Sequence, residues 1–209
     1  MLATAIMTTS LLSGNFIHHG GNKNPESLVT ITEELLETIE HVANEEKLAH
    51  DLYVTLYDYH LNDSNISLSP LYDIATYSEV EHVQTAEDIA AKYGVEIDSD
   101  LEIGVFGLHE IQELYEELYA NGVGSPIDAY KTGCMVEVTD VYDLNADIVV
   151  AEDSNAEDIV IAYSSLRDGS YNHYWAFDTG LKSMGIVDGC CSLGTIDGIN
   201  YCHPEYPQK

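Results

Sequence analysis

The sequence predicts an all-α chain: a bundle of four long helices with an extra short helix, an extended N-terminal arm and a loop-rich C-terminal tail. Three observations carry this prediction. Apolar residues recur at helical spacing over long stretches, as in Leu35, Leu36, Ile39, Val42, Ala43, Leu48, Leu52 and Leu56. Helix-start signals stand before such runs and glycines close them. Inside one run lie Glu79 and His82, and residues three apart stack on one face of a helix.

Residues 1–16 carry no charge, a sharp break in so acidic a chain. A secretory signal is a poor reading, because the basic n-region is missing and Thr and Ser interrupt the apolar run. An uncharged arm is loose unless something ties it down. Residues 1–26 are therefore read as an arm, with residues 1–16 joining the chain to a neighbouring copy in a homo-oligomer or polymer. Residues 27–185 form the bundle and 186–209 the tail.

Thr30-x-x-Glu33 is a capping-box pattern and predicts a helix from Ile31 to about His60. The turn after it holds Asn62-Asp63-Ser64 and Asn65-Ile66-Ser67, which makes Asn62 and Asn65 glycosylation-type positions. Ser69-Pro70 opens a second helix, with Ser as cap and Pro at the first position, and Gly94 stops it. A loop over 95–107 precedes a short helix, Leu108 to Tyr119. Ser125-Pro126 opens another helix, read to about Leu144. Residues 145–153 read as an acidic turn, with Asp143, Asn145 and Asp147 alternating; it lacks the glycine and terminal glutamate of a calcium loop and so reads as solvated, not as a strong ion site. Ser154-x-x-Glu157 reads as the start of the last helix, which runs to about Met184 and ends at Gly185. Gly169 interrupts it at some cost in helicity. The tail is expected to turn, with a short hairpin at Asp197-Gly198.

Composition narrows the function. The 209 residues carry 37 Asp and Glu against seven Lys and Arg, a formal net charge of -30. Nucleic acid and anionic membrane surfaces both need basic footprints, so both are excluded as partners. The charge fits salty or cation-rich surroundings, or exposure outside a cell. A hydrophobic fraction of 45% supplies a real core. No stretch reaches the roughly 18–20 apolar residues of a membrane span. Of four cysteines, Cys190, Cys191 and Cys202 crowd the tail. A bridge from Cys190 or Cys191 to Cys202 would pin it and suits an oxidising, extracellular or cell-surface setting. Cys134 reads as a small core residue.

Each long helix brings carboxylates or an imidazole to about its middle: Glu46, then Glu79 with His82, then Glu137 with Asp140, then His173 one turn after Ser170. Two cations need hard oxygen ligands to bridge and neutralise them and imidazoles to complete their coordination. Carboxylates buried without such cations are severely penalised, or neutralise by taking up protons. Glu46, Glu79, His82, Glu137, Asp140 and His173 are therefore the candidate metal ligands. The opposing reading is a set of solvated acidic faces with a satisfied core histidine.

The run Glu46-Lys47-Leu48-Ala49-His50-Asp51-Leu52-Tyr53, with Ile74-Ala75-x-x-Ser78-Glu79-x-x-His82, resembles the first half of a rubrerythrin or ferritin-like domain. With Gly169-Ser170-x-Asn172-His173-x-x-Ala176-Phe177, the stretch from about Glu33 to Met184 resembles a prokaryotic ferritin-like domain family of unknown function. The resemblance implies a four-helix bundle with an iron or manganese centre of two metals, and no particular reaction; zinc and calcium stay compatible with the same donors. One departure stands out. The second Glu-x-x-His is Ser170-x-x-His173, so a carboxylate is missing, and Asp140 is the candidate to replace it. An alternative reading is an exported structural subunit of a filament or other assembly, joined through the arm, its metal site vestigial or stabilising.

Overall fold

The computed structural model describes residues 28–97 and 101–208, and the arm of residues 1–26 lies outside them. The described chain is all-α apart from one two-residue hairpin. The helices are α1 (Glu33–Ser64), α2 (Ser69–Asp73), a π-helical stretch (Ile74–Glu79), α3 (Val80–Tyr93), α4 (His109–Gly122), α5 (Pro126–Asp153) and α6 (Glu157–Ser183). A 3₁₀ turn (Gly189–Leu193) and strands β1 (Thr195–Ile196) and β2 (Ile199–Asn200) follow. The strands pair antiparallel, Ile196 opposite Ile199, around left-handed Asp197 and Gly198.

Side-chain caps start α1 and α5, but Ser69 does not cap α2: Leu68 holds that position without a side-chain bond, because Ser69 is already the first helical residue and Pro70 the second. Thr32, not Thr30, caps α1, its hydroxyl accepting from the Leu35 N–H at 3.0 Å. Thr30 instead donates its N–H to the Ser154 carbonyl at 2.8 Å and ties the chain's entry to the far end of α5. Ser125 caps α5 as expected, accepting from Asp128 N at 3.1 Å. The predicted acidic turn over 145–153 is helix: Leu144, Ile148 and Ala151 are buried at helical spacing and carry α5 on to Asp153. Ser154 then closes α5, donating its N–H to Val150 O, and α6 starts at Ala156 without a side-chain cap. The capping box read at Ser154 is thus a helix stop.

α5 packs along α6, and α1 packs on α3 and α5. The apolar core divides into two clusters. One joins Leu52, Leu56, Leu71, Ile111, Tyr130 and Phe177 near the tail. The other joins Leu35, Ile39, Ile89, Leu144, Ile159 and Leu166 at the opposite end. On α1, α5 and α6 the residues between the clusters are the ones carrying carboxylates and imidazoles, so a polar slab crosses the middle of the helices.

The tail folds back on α6. Disulfides join Cys191 to Cys202 and Cys134 to Cys190. Cys191 is therefore the residue that meets Cys202, and Cys134 is not a free core thiol: it is fully buried and bridges α5 to the tail. Aromatic residues hold the tail as well. Tyr174 donates to Tyr201 O at 3.2 Å and accepts from His203 N at 3.1 Å, and Trp175 Nε1 donates to Tyr206 O at 3.1 Å. Asn62 and Asn65 are both exposed, at the end of α1 and in the left-handed position that closes it.

Candidate metal centre

The polar slab is nearly dry. Glu46, Glu79 and Glu137 are 1–2% exposed and His173 is 5% exposed. Glu79 sits at its middle, touching both imidazoles: His173 Nδ1 lies 2.8 Å from its Oε1 and His82 Nδ1 lies 3.4 Å from its Oε2. The arrangement is close to two-fold. Glu46 Oε2 is 3.2 Å from His82 Nδ1 on one side, and Glu137 Oε2 is 3.4 Å from His173 Nδ1 on the other. The two imidazole rings stand 5.1 Å apart.

Local backbone choices put these groups there. Glu79 closes the π-helical stretch, where one extra residue per turn re-aims the side chain; such bulges are frequent at functional sites. Glu79 and His82 then stack across the junction with α3. On α1, Glu46 and Tyr53 turn into the cluster, while Lys47 and the buried Asp51 pair with each other one turn apart. Asp51 also accepts from Gly104 N at 2.9 Å, which fastens the loop before α4.

A surrounding layer orients the inner groups, as is usual for metal ligands. Tyr53 donates its hydroxyl to Glu137 Oε1. Ser78 Oγ lies 2.7 Å from His173 Nε2 and leaves Nδ1 facing Glu79 and Glu137. Gly169 gives His82 its space. Ser170 donates to Asp140 Oδ2. The structure thus links Glu46, His82, Glu79, His173 and Glu137 in one chain of contacts. It places Asp140 beside them, held by the serine that stands where a second Glu-x-x-His would carry its glutamate.

The electrostatics follow from burial and pairing. Burial pushes the Glu79 carboxyl up, but His173 and then His82 outweigh it and hold it at about 2. Burial pushes both imidazoles down, yet Glu46 and Glu79 lift His82 to about 11, and Glu137 and Glu79 lift His173 to about 10. Burial raises Glu46 and Glu137, and raises Asp140 well above the usual carboxylate range, with Glu46 and Glu137 adding to it. Without a cation, protons neutralise the cluster.

That neutralisation is incomplete in hydrogen-bond terms. Glu46 Oε1, Glu79 Oε2 and His173 Nδ1 are buried and complete no hydrogen bond. The carboxylate–imidazole contacts are close but poorly directed, so acceptor and donor atoms share space without pairing. Ligand atoms of Glu79, His82 and His173 all lie within 4.8 Å of one another. This donor set, hard carboxylates with two imidazoles, fits a first-row divalent cation better than magnesium or calcium.

A cavity of about 220 Å³ reaches the cluster from the side of the tail. Glu46, Glu79, Glu137 and Asp140 line its inner end, and Leu48, Leu114, Leu118 and Met135 its walls. Ile196, Ile199 and Tyr201 of the disulfide-pinned tail line it too. Sequence reasoning missed this role of the hairpin, because nothing local in residues 195–201 signals which helices they cover.

Fold and site together define an all-α protein with a buried carboxylate–imidazole cluster at its waist. The chain belongs to the family described as Uncharacterized protein domain (DUF2202), which it matches over residues 36–194. It is 35% identical over 157 residues to "Uncharacterized protein MJ0754" of Methanocaldococcus jannaschii, covering 74% of this chain and 79% of that protein. The crystal structure of hypothetical protein MJ0754 from Methanococcus jannaschii matches with a TM-score of 0.67 at 33% identity, covering 80% of this chain and 87% of that one. Among the described residues no helix is long and apolar enough to cross a membrane.

Proposed function

We propose that the chain is a ferritin-like metal-binding protein. Glu46, Glu79, His82, Glu137 and His173 would hold the two first-row divalent cations, iron or manganese, of such a centre. Glu46 with His82 and Glu137 with His173 would supply the outer ligands, with Asp140 in reserve beside Ser170. The observation that carries this reading is the pair of imidazole Nδ1 atoms meeting one glutamate from two sides, among buried acceptors that nothing in the chain satisfies. A proton-neutralised cluster is the competing explanation, and it leaves those acceptors unpaired.

Such cations supply redox and Lewis-acid chemistry when bound. The chain's own residues supply the rest. Tyr53 steadies Glu137, Ser78 holds the tilt of the His173 ring, and the two apolar clusters keep bulk water from the ligands. The cavity admits a small molecule past leucine and methionine side chains. Two disulfides support an oxidising location.

Chelation tests the reading. Dialysis against a strong chelator is expected to lower the melting temperature, and Mn²⁺ or anaerobic Fe²⁺ to restore it. A melting temperature indifferent to both would remove the proposal.

A further inference from the structure

A second group of ligating side chains lies next to the centre, on the face where α1 meets α5. His41 and Glu45 are one turn apart on α1, and Asp143 and Asp147 one turn apart on α5. His41 Nε2 is 3.2 Å from Glu45 Oε1, and ligand atoms of His41, Glu45 and Asp143 all lie within 4.8 Å of one another. We infer that these four residues form a separate site for a first-row divalent cation.

Acidic clusters are common in a chain of this charge, and this one is distinguished by its burial. The Glu45 side chain is only 10% exposed, and its Oε2 is buried without a hydrogen-bond partner. That oxygen belongs to a carboxyl within hydrogen-bonding reach of another carboxyl, Asp143. Asp147 Oδ2 is likewise buried and unpartnered. Acceptors facing acceptors need a proton or a cation between them, and burial raises Glu45 to about 7. Among the described residues no lysine or arginine forms an ion pair with Glu45, Asp143 or Asp147. His41 reaches Glu45 Oε1 and lies near Asp143 and Asp147, yet Glu45 Oε2 and Asp147 Oδ2 still complete no hydrogen bond.

The donors choose the ligand class. One imidazole with three carboxylates suits manganese, iron, cobalt or zinc; an all-oxygen set would have suited magnesium or calcium. The site is reachable from solvent. His41 is 40% exposed, and a surface cleft beside it is lined by His41, Asp147, Glu37, Glu40 and Glu110, whose charge concentrates cations at the entrance. Glu45 also lines the cavity that reaches Glu46 and Glu79, so the two sites are neighbours along one helix.

The test counts Mn²⁺ bound to the full chain by equilibrium dialysis, and it is run in a Glu79→Ala background so that the central site does not contribute. Glu79→Ala protein is expected to keep one Mn²⁺ per chain. Adding Glu45→Gln and Asp143→Asn is expected to remove it, with the helical circular dichroism unchanged. Retention of that Mn²⁺ by the triple variant, or no binding by Glu79→Ala alone, would overturn the inference. A second measurement uses the unmutated chain. Zn²⁺ is expected to protect His41 from modification by diethylpyrocarbonate at least several-fold, read by mass spectrometry; equal modification with and without Zn²⁺ contradicts the site.

Discussion

Gly169 lies flat against the imidazole of His82: a Cβ added at position 169 would collide with Nε2 and Cε1 of the ring. Alanine in a helix interior ordinarily gains up to about 1 kcal/mol over glycine. Here the ring must move, and overpacking of this kind costs about 1–3 kcal/mol. Gly169→Ala is expected to be destabilised in denaturant melts and to bind Mn²⁺ more weakly. A stabilised variant with unchanged binding would show that His82 has room to spare.

Glu79 is the common partner of both imidazoles. Removing one partner of a buried charge pair costs about 3–5 kcal/mol. Glu79→Ala is expected to lose stability on that scale in the cation-free protein and to lose the central cations. Equilibrium unfolding and elemental analysis check the two effects separately.

Binding at the centre is expected to release protons. In the cation-free protein His82 and His173 titrate at about 11 and about 10, so both are protonated near neutrality. Ligation needs them neutral. At least two protons are therefore displaced on loading, and affinity rises with pH, which an indicator dye in weak buffer measures. The stability of the cation-free protein runs the other way. The raised imidazoles contribute stability that is complete below about 6.5 and lost as pH rises through about 10–11. Glu79, held at about 2, contributes stability present above about 4.5 and lost as pH falls through about 2.

The two disulfides differ in span: Cys134–Cys190 encloses a separation of 56 residues and Cys191–Cys202 one of 11. Chain-entropy estimates give about 4 and about 3 kcal/mol respectively. Replacing Cys134 and Cys190 by Ala is expected to lower stability more than replacing Cys191 and Cys202, as read by denaturant midpoints. The second pair pins the hairpin over the cavity, so its loss is expected to increase access of small chelators to the centre.

Much of this architecture was legible in the sequence, and the failures have local reasons. The apolar spacing of Leu35 to Leu56 located α1, and the three-residue spacings located Glu79 with His82 and Glu137 with Asp140. Residues 145–153 misled because Asn145, Asp147, Glu152 and Asp153 look like a turn; Leu144, Ile148 and Ala151 bury instead and keep the helix going. Thr30 and Ser154 both matched cap patterns, but they bond to each other's backbone rather than start helices. The π-helical stretch has no composition signal, since it answers to packing of Ile74, Ala75 and Glu79. Cys134 looked like a core residue because it is one; its bridge to Cys190 depends on where the tail lands. The four-residue spacings His41–Glu45 and Asp143–Asp147 were present to be read, but only the packing of α1 on α5 shows that they meet.

The central claim is that the buried carboxylates and imidazoles around Glu79 would hold two first-row cations. Anomalous diffraction from crystals soaked in Mn²⁺ tests it most directly. The account predicts two peaks at the centre, one within bonding distance of His82 Nδ1 and one of His173 Nδ1, with Glu79 between them. Ordered side chains with no anomalous peak near Glu79 would contradict it.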